Sequence, residues 1–210
     1  MLARSPAAML DDGAGNLMLR MDEAKQRSEL ALYSTRIREA AIQRWLKTEE
    51  ILCILTNFES IGFEVSREPM RNPTHGLLVI FDRRLTKNFK DDHVPWVKKN
   101  KKNRVREDHV KLQLQKVNVV YGTYAHGEKD PYFHRRCYRL AGTPNEQFIH
   151  LVHYRRDVKS KLAADGERRP TLAAISTPSF LMQSLMAATV KSRPDGVDSP
   201  RSLILARATD

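Results

Sequence analysis

The chain has 210 residues, 41% hydrophobic and 29% charged, with a net charge of +11, a pI of about 9.8 and a mean hydropathy of -0.52. That is room for one good-sized domain with polar flanks, and a basic balance of this size suits nucleic acid or an acidic surface as partner. No stretch approaches the roughly 18 apolar residues of a membrane span. MLARSPAAML turns straight into DDGAGN without a signal-peptide core. Two cysteines, Cys53 and Cys137, speak against a disulfide framework and for a reducing compartment.

Residues 1–21 mix Ala, Gly, Asn, Asp and Pro without period and read as a disordered leader. From Asp22 to Gln43 the text is helical, with Leu30, Tyr33, Ile37 and Ala41 recurring three or four apart, and this helix is expected to pack on the domain. Thr48 is the expected N-cap of a second helix, with Glu49 and Glu50 in its first turn favouring the dipole. Ile51, Ile54, Leu55 and Phe58 make its apolar stripe, Cys53 is a small buried thiol beside it, and Gly62 stops it. Pro69, Pro73 and Gly76 then punctuate an extended connector.

The apolar run Leu77–Asp82 predicts a buried strand, and Leu85–Lys90 follows closely enough to predict a hairpin with it. A strand-like HVPWV leads into Val105–Gln115, a helix candidate. Three strands finish the domain: Val117, Val119, Tyr121 and Thr123 alternate, Tyr132–Leu140 alternates, and Phe148–Tyr154 follows. HGEKDP and AGTPNEQ are turns between them, so the three form an antiparallel meander. Beyond Val158, residues 159–210 carry four prolines and read as a mostly disordered tail, with an apolar patch at Phe180–Val190 suited to docking.

Charge is concentrated in one place. Arg83–Lys116 holds twelve lysines and arginines against four acids, a net of +8, and the whole block from Arg44 to Val158 also nets +8. Lys98, Lys99, Lys101, Lys102, Arg104 and Arg106 can neutralise phosphates, and Lys and Arg are the side chains that read guanine in the major groove. Trp96 among them either stacks or packs against sugar, or anchors the loop to the core. Arg135 and Arg136 fall on opposite faces of their strand, so at most one can join a groove-facing surface.

Other chemistry is weakly supported. His150 and His153 sit at an odd offset in a strand, and there is no Cys-x-x-Cys pair, which leaves no zinc site. Asp91, Asp92 and His93 with His109 and Glu128 offer the residue types of a metal-dependent nuclease, but Asp91-Asp92 is also an ordinary polar turn. No phosphate loop of the Walker type and no nucleophile motif is present, so neither enzyme activity nor a cofactor is expected.

Six pieces in order then carry a resemblance: Arg44-Trp45-Leu46 with Glu50-Ile51-Leu52, LLVIFDRR, the set Asp92, His93, Trp96, Lys98 and Lys99, YAHGE, RRCYRL, and IHLVHY. Over residues 44–158 the chain resembles the CG-1 DNA-binding domain of the calmodulin-binding transcription activator (CAMTA) family. The resemblance implies a nuclear transcription factor that binds double-stranded DNA at a CGCG-type element. It departs from the family at Pro95 and Val97, which flank Trp96 where the family usually has asparagine and arginine, and at Asn100–Asn103, which read NKKN. The immunoglobulin-like domain, ankyrin repeats and IQ motifs of the family are missing, so calmodulin is expected to bind only through regions absent from this chain.

The expected fold is α+β: an antiparallel sheet with an N-terminal packing helix and a basic loop or short helix across one edge. Lys98 and Lys99 are the expected base-edge contacts, and Lys87, Lys90, Lys101, Lys102, Arg104 and Arg106 the phosphate contacts. An RNA-binding module of the same architecture is the alternative, ahead of the nuclease.

Overall fold

The computed structural model describes residues 12–99, 103–142, 147–157 and 175–181, with side chains from Arg20 onward. The meander forms as expected. β4 (Val117–His126), β5 (Phe133–Leu140) and β6 (Ile149–Arg156) pair antiparallel in sequence order. On one side β6 pairs antiparallel with β2 (Leu78–Asp82), which pairs in parallel with the two-residue β1 (Val65–Ser66). On the other side β3 (Asp108–Leu114) closes the edge on β4. The sheet therefore runs β1-β2-β6-β5-β4-β3, antiparallel except at one short edge pair. With two helices on it, the class is α+β.

Both faces of the sheet are covered, so β2 is buried at every position, as its near-continuous apolar run requires. Against one face lie α1 (Asp12–Gln43) and α2 (Thr48–Asn57). Tyr33, Ile37, Ala40 and Ala41 of α1 and Ile51, Leu52, Ile54 and Leu55 of α2 pack on Leu78, Ile80, Val120, Tyr138 and Leu151. The C-terminal end of α1 leaves carbonyls without helical partners. The sheet supplies two of them, since His153 Nε2 donates to the Ala41 carbonyl at 2.9 Å and Arg155 Nη2 to that of Gln43 at 2.9 Å. Gly62, at φ +77°, ends the α2 region, where the Phe63 N–H reaches back to the Phe58 carbonyl at 2.8 Å; few residues other than glycine accept that backbone.

The tail contributes to this layer. Leu181 is only 3% exposed within the helix-side core, with Ile175 and Phe180 packed against it. Residues 158–174 and 182–210, including the rest of the Phe180–Val190 patch, lie outside the described residues, as do residues 1–11.

Four local expectations are corrected. α1 begins at Asp12 rather than Asp22. Apolar packing starts only near Leu30, but extending an existing helix needs no new nucleus. The N-cap of α2 is Lys47, not Thr48, because the Glu50 carboxylate turns back to accept the Lys47 N–H at 2.7 Å. Leu85–Lys90 is a series of turns and no hairpin partner: Asp82 accepts the Arg84 N–H at 2.8 Å, which bends the chain at once. Val105–Gln115 is not a helix either. Val110, Leu112 and Leu114 alternate with exposed His109, Lys111 and Gln113, a period of two that makes β3.

Candidate nucleic-acid interface

Among the described residues, the second face of the sheet has no helix. Its cover is the irregular chain of residues 83–99 and 103–107, folded over Val79, Phe81, Phe133, Cys137, Val152 and Tyr154. A chain without its own ladder must satisfy its polar groups some other way, and here one buried carboxylate does much of it. Asp92 accepts from Trp96 Nε1 at 2.8 Å and the Val94 N–H at 3.2 Å on one oxygen. Its other oxygen accepts from Arg135 at 2.6 Å and the Tyr154 hydroxyl at 2.9 Å. The Arg135 guanidinium, 4.9 Å from the Trp96 ring centroid, also donates to the Lys90 carbonyl at 2.7 Å and to Glu107 at 3.3 Å. Lys90 Nζ closes the ring on both Glu107 oxygens at 2.8 Å. Burial disfavours the Glu107 charge, but Lys90 and Arg135 together hold its pKa below the usual carboxylate range.

This network fixes the two ends of a basic ribbon. Trp96 bridges to Gly127 and Lys98 to Val105. The Val97 N–H bonds to His126, that of Lys99 to Arg104 and that of Arg106 to Val97, at 2.9, 2.9 and 2.8 Å. The strand-like HVPWV is thus one arm of a short two-armed ribbon off the end of β4. A Cβ at Gly127 would sit 2.4 Å from the Asp130 carbonyl oxygen, so the bridge to Trp96 requires glycine there.

The sequence-predicted residues divide by this geometry. Lys98, Lys99 and Arg104 are exposed on the ribbon and, like exposed Lys87, form no ion pair among the described residues. Arg106 is exposed with a loose 3.9 Å contact to Asp108. Lys90 is tethered to Glu107. Trp96 and Arg135 are 3% and 1% exposed and sit inside the network that carries the ribbon, so of the two readings of Trp96 the burial favours the loop anchor. Arg136 lies on the opposite face, over the rings of Trp45 at 3.7 Å and Tyr124 at 4.3 Å, away from the ribbon. Lys101 and Lys102 lie outside the described residues.

The nuclease set is not assembled. Both Asp92 oxygens are occupied by the protein's own donors, and no group of three His, Cys, Asp or Glu that could hold a metal occurs among the described residues. His150 packs on Phe89 on the ribbon side at 4.8 Å, while His153 packs on Trp45 on the helix side at 4.8 Å. Sequence reasoning missed a second group of cations: Arg83, Lys111 and Arg139, which line a groove beside the ribbon. Assigning each strand residue to a face would have found the last two.

The CG-1 domain family model matches residues 40–157. Over 149 residues, 71% of this chain, the chain is 35% identical to the calmodulin-binding transcription activator CBT of Oryza sativa subsp. japonica. It is 39% identical over 111 residues to calmodulin-binding transcription activator 2 of Homo sapiens, 53% of this chain, and 40% identical over 117 residues to activator 4 of Arabidopsis thaliana, 56% of it. The matched segments cover only 16%, 9% and 11% of those relatives' lengths. No solved structure is significantly similar. A family match over more than half of the chain, on the same residues that build the sheet and the ribbon, shows that the chain belongs to the CG-1 domain family.

Proposed function

We propose that the chain binds double-stranded DNA with preference for a CGCG-type element, and that it does so in transcriptional control in the nucleus. Calmodulin would act through regions absent from this chain. Membership of the CG-1 family supports the reading, as do the names of the relatives, all calmodulin-binding transcription activators. The observation that carries it is the ribbon itself: Lys98, Lys99 and Arg104 are exposed cations without ion-pair partners among the described residues, held on a base that buried bonds make rigid. A backbone already held in place leaves less to order on meeting phosphate, and cations that reach base edges discriminate by about 1–3 kcal/mol per good pair. Lys98 and Lys99 are assigned the base edges. Lys87, Arg104 and Arg106, with Lys101 and Lys102, are assigned phosphates.

Single-stranded RNA recognition would use exposed rings on which bases stack. Phe89 and Trp96, the aromatic residues set among the ribbon's charges, are both buried, which favours the duplex. Fluorescence anisotropy of the 210-residue chain on a labelled CGCG duplex tests this near physiological salt. Unlabelled CGCG duplex should compete roughly a hundredfold better than a shuffled duplex or a single-stranded RNA. Equal competition by all three would leave only a phosphate-binding surface.

A further inference from the structure

Next to the ribbon, on the same face, the described residues leave the sheet open in a groove. A groove of about 390 Å³ crosses β3, β4, β5 and β6 there. Four cations converge on it from separate places in the sequence: Arg83 after β2, Lys90 in the turns, Lys111 on β3 and Arg139 on β5. Among the described residues no carboxylate lines it. Lys90 is partly neutralised by Glu107, but Arg83 and Lys111 are exposed and, with Arg139, have no ion pair among the described residues. Arg139 is held in place by the Tyr121 ring, 4.9 Å from its guanidinium carbon.

His150, on the groove floor, lies buried among these cations. Burial is the main reason its pKa is pushed down to about 4, against the pull of the Phe148 carbonyl, and Lys90, Arg83 and Arg139 push it further down. A concave, low-dielectric surface lined by one sign of charge focuses that field outward.

We propose that this groove is a second phosphate-binding subsite, which takes the phosphodiester backbone of the duplex whose bases the ribbon meets. The inference rests on the DNA-binding reading above. Lys111 lies five residues along the chain from Arg106, roughly 17 Å at strand rise, and one DNA strand presents a phosphate every ~3.4 Å of helix axis. One duplex therefore spans ribbon and groove, and the groove fixes its register without reading its sequence.

The test is the salt dependence of duplex binding by the full chain. Arg83→Gln with Lys111→Gln removes two exposed cations, so the slope of log K against log salt should fall by about two while the preference for CGCG over shuffled duplex stays unchanged. Arg139→Gln should lower the slope by about one. Lys116→Gln, at the exposed β3–β4 turn outside the groove, is the charge-matched control and should leave the slope alone. An unchanged slope in the groove variants, or an equal drop in the control, would overturn the subsite and leave the ribbon reading intact. Should the natural chain fail to bind duplex at all, the DNA reading falls and a second measurement judges the groove. In that measurement, inorganic pyrophosphate should shift the amide resonances of Lys111, Tyr121 and Arg139, and the Arg83→Gln/Lys111→Gln variant should lose the shifts. No shift would overturn the groove as a phosphate site.

Discussion

The helix-covered face of the sheet is held by apolar packing, whereas the ribbon-covered face is held by a buried carboxylate with four donors around it. On the first face, Ile37, Ala40, Ile54 and Leu151 meet side chain to side chain, and directional bonds such as His153 to the Ala41 carbonyl only finish the helix ends. On the second, the described residues between Arg83 and Glu107 form almost no ladder of their own, and Asp92, Arg135, Trp96 and Tyr154 set their path by bond geometry. Buried ion pairs add little net stability compared with apolar packing, but they fix which arrangement forms. The face that carries the ribbon's exposed cations is the one built this way.

That contrast can be broken most forcefully at Asp92. Asp92→Ala leaves Arg135 buried without its main partner and should cost about 3–5 kcal/mol in urea denaturation. It should also weaken duplex binding under conditions where the variant is still folded. A loss below about 1 kcal/mol would mean that the network does not hold the ribbon. On the opposite face, Leu181→Ala should cost about 2–5 kcal/mol by opening a cavity under the helices, with duplex affinity unchanged once folded. No change in stability would detach the tail segment from the core. Trp96→Phe keeps a ring but removes the bond to Asp92, for about 1–3 kcal/mol. Its affinity loss should exceed that of Leu181→Ala when both are assayed folded.

Acid should affect both faces together. Burial holds His150 down to about 4 and His153 down to about 3, while an unfolded histidine titrates near 6.5. Between about pH 6.5 and 4 the unfolded chain therefore takes up protons that the folded chain refuses, and stability falls as pH falls. The melting temperature should decline steadily over that interval, and His153→Gln should reduce the slope. A flat profile in the natural chain would contradict the burial of both rings.

What was legible in the sequence follows the same divide. Period-two alternation and the turn HGEKDP placed the meander, and the stripe Ile51, Ile54 and Leu55 placed α2, because packing against one large partner leaves a local pattern; residues 143–146 of AGTPNEQ lie outside the described residues. β3 carried the same alternation at Val110, Leu112 and Leu114, which the reading of Val105–Gln115 as a helix candidate passed over. The two-residue β1 left no pattern to read. The network was illegible for a different reason: Asp92 and Arg135 are 43 residues apart, and nothing local marks a buried pair. Asp92 reads as a turn residue, and Trp96 and Arg135 read as ligand contacts, until the fold brings them together. The ribbon cations were visible as a charge run, but the groove was not, because Arg83, Lys111 and Arg139 converge only through the strand order.

The most direct test of the central claim, that exposed cations on an anchored ribbon read the duplex, is Lys98→Ala with Lys99→Ala. Both side chains are exposed, so the fold should be undisturbed, and a melting curve confirms it. Affinity for the CGCG duplex should fall about tenfold or more beyond any loss on a shuffled duplex at the same salt. Equal losses on the two duplexes would contradict the claim and reduce the ribbon to a holder of phosphates.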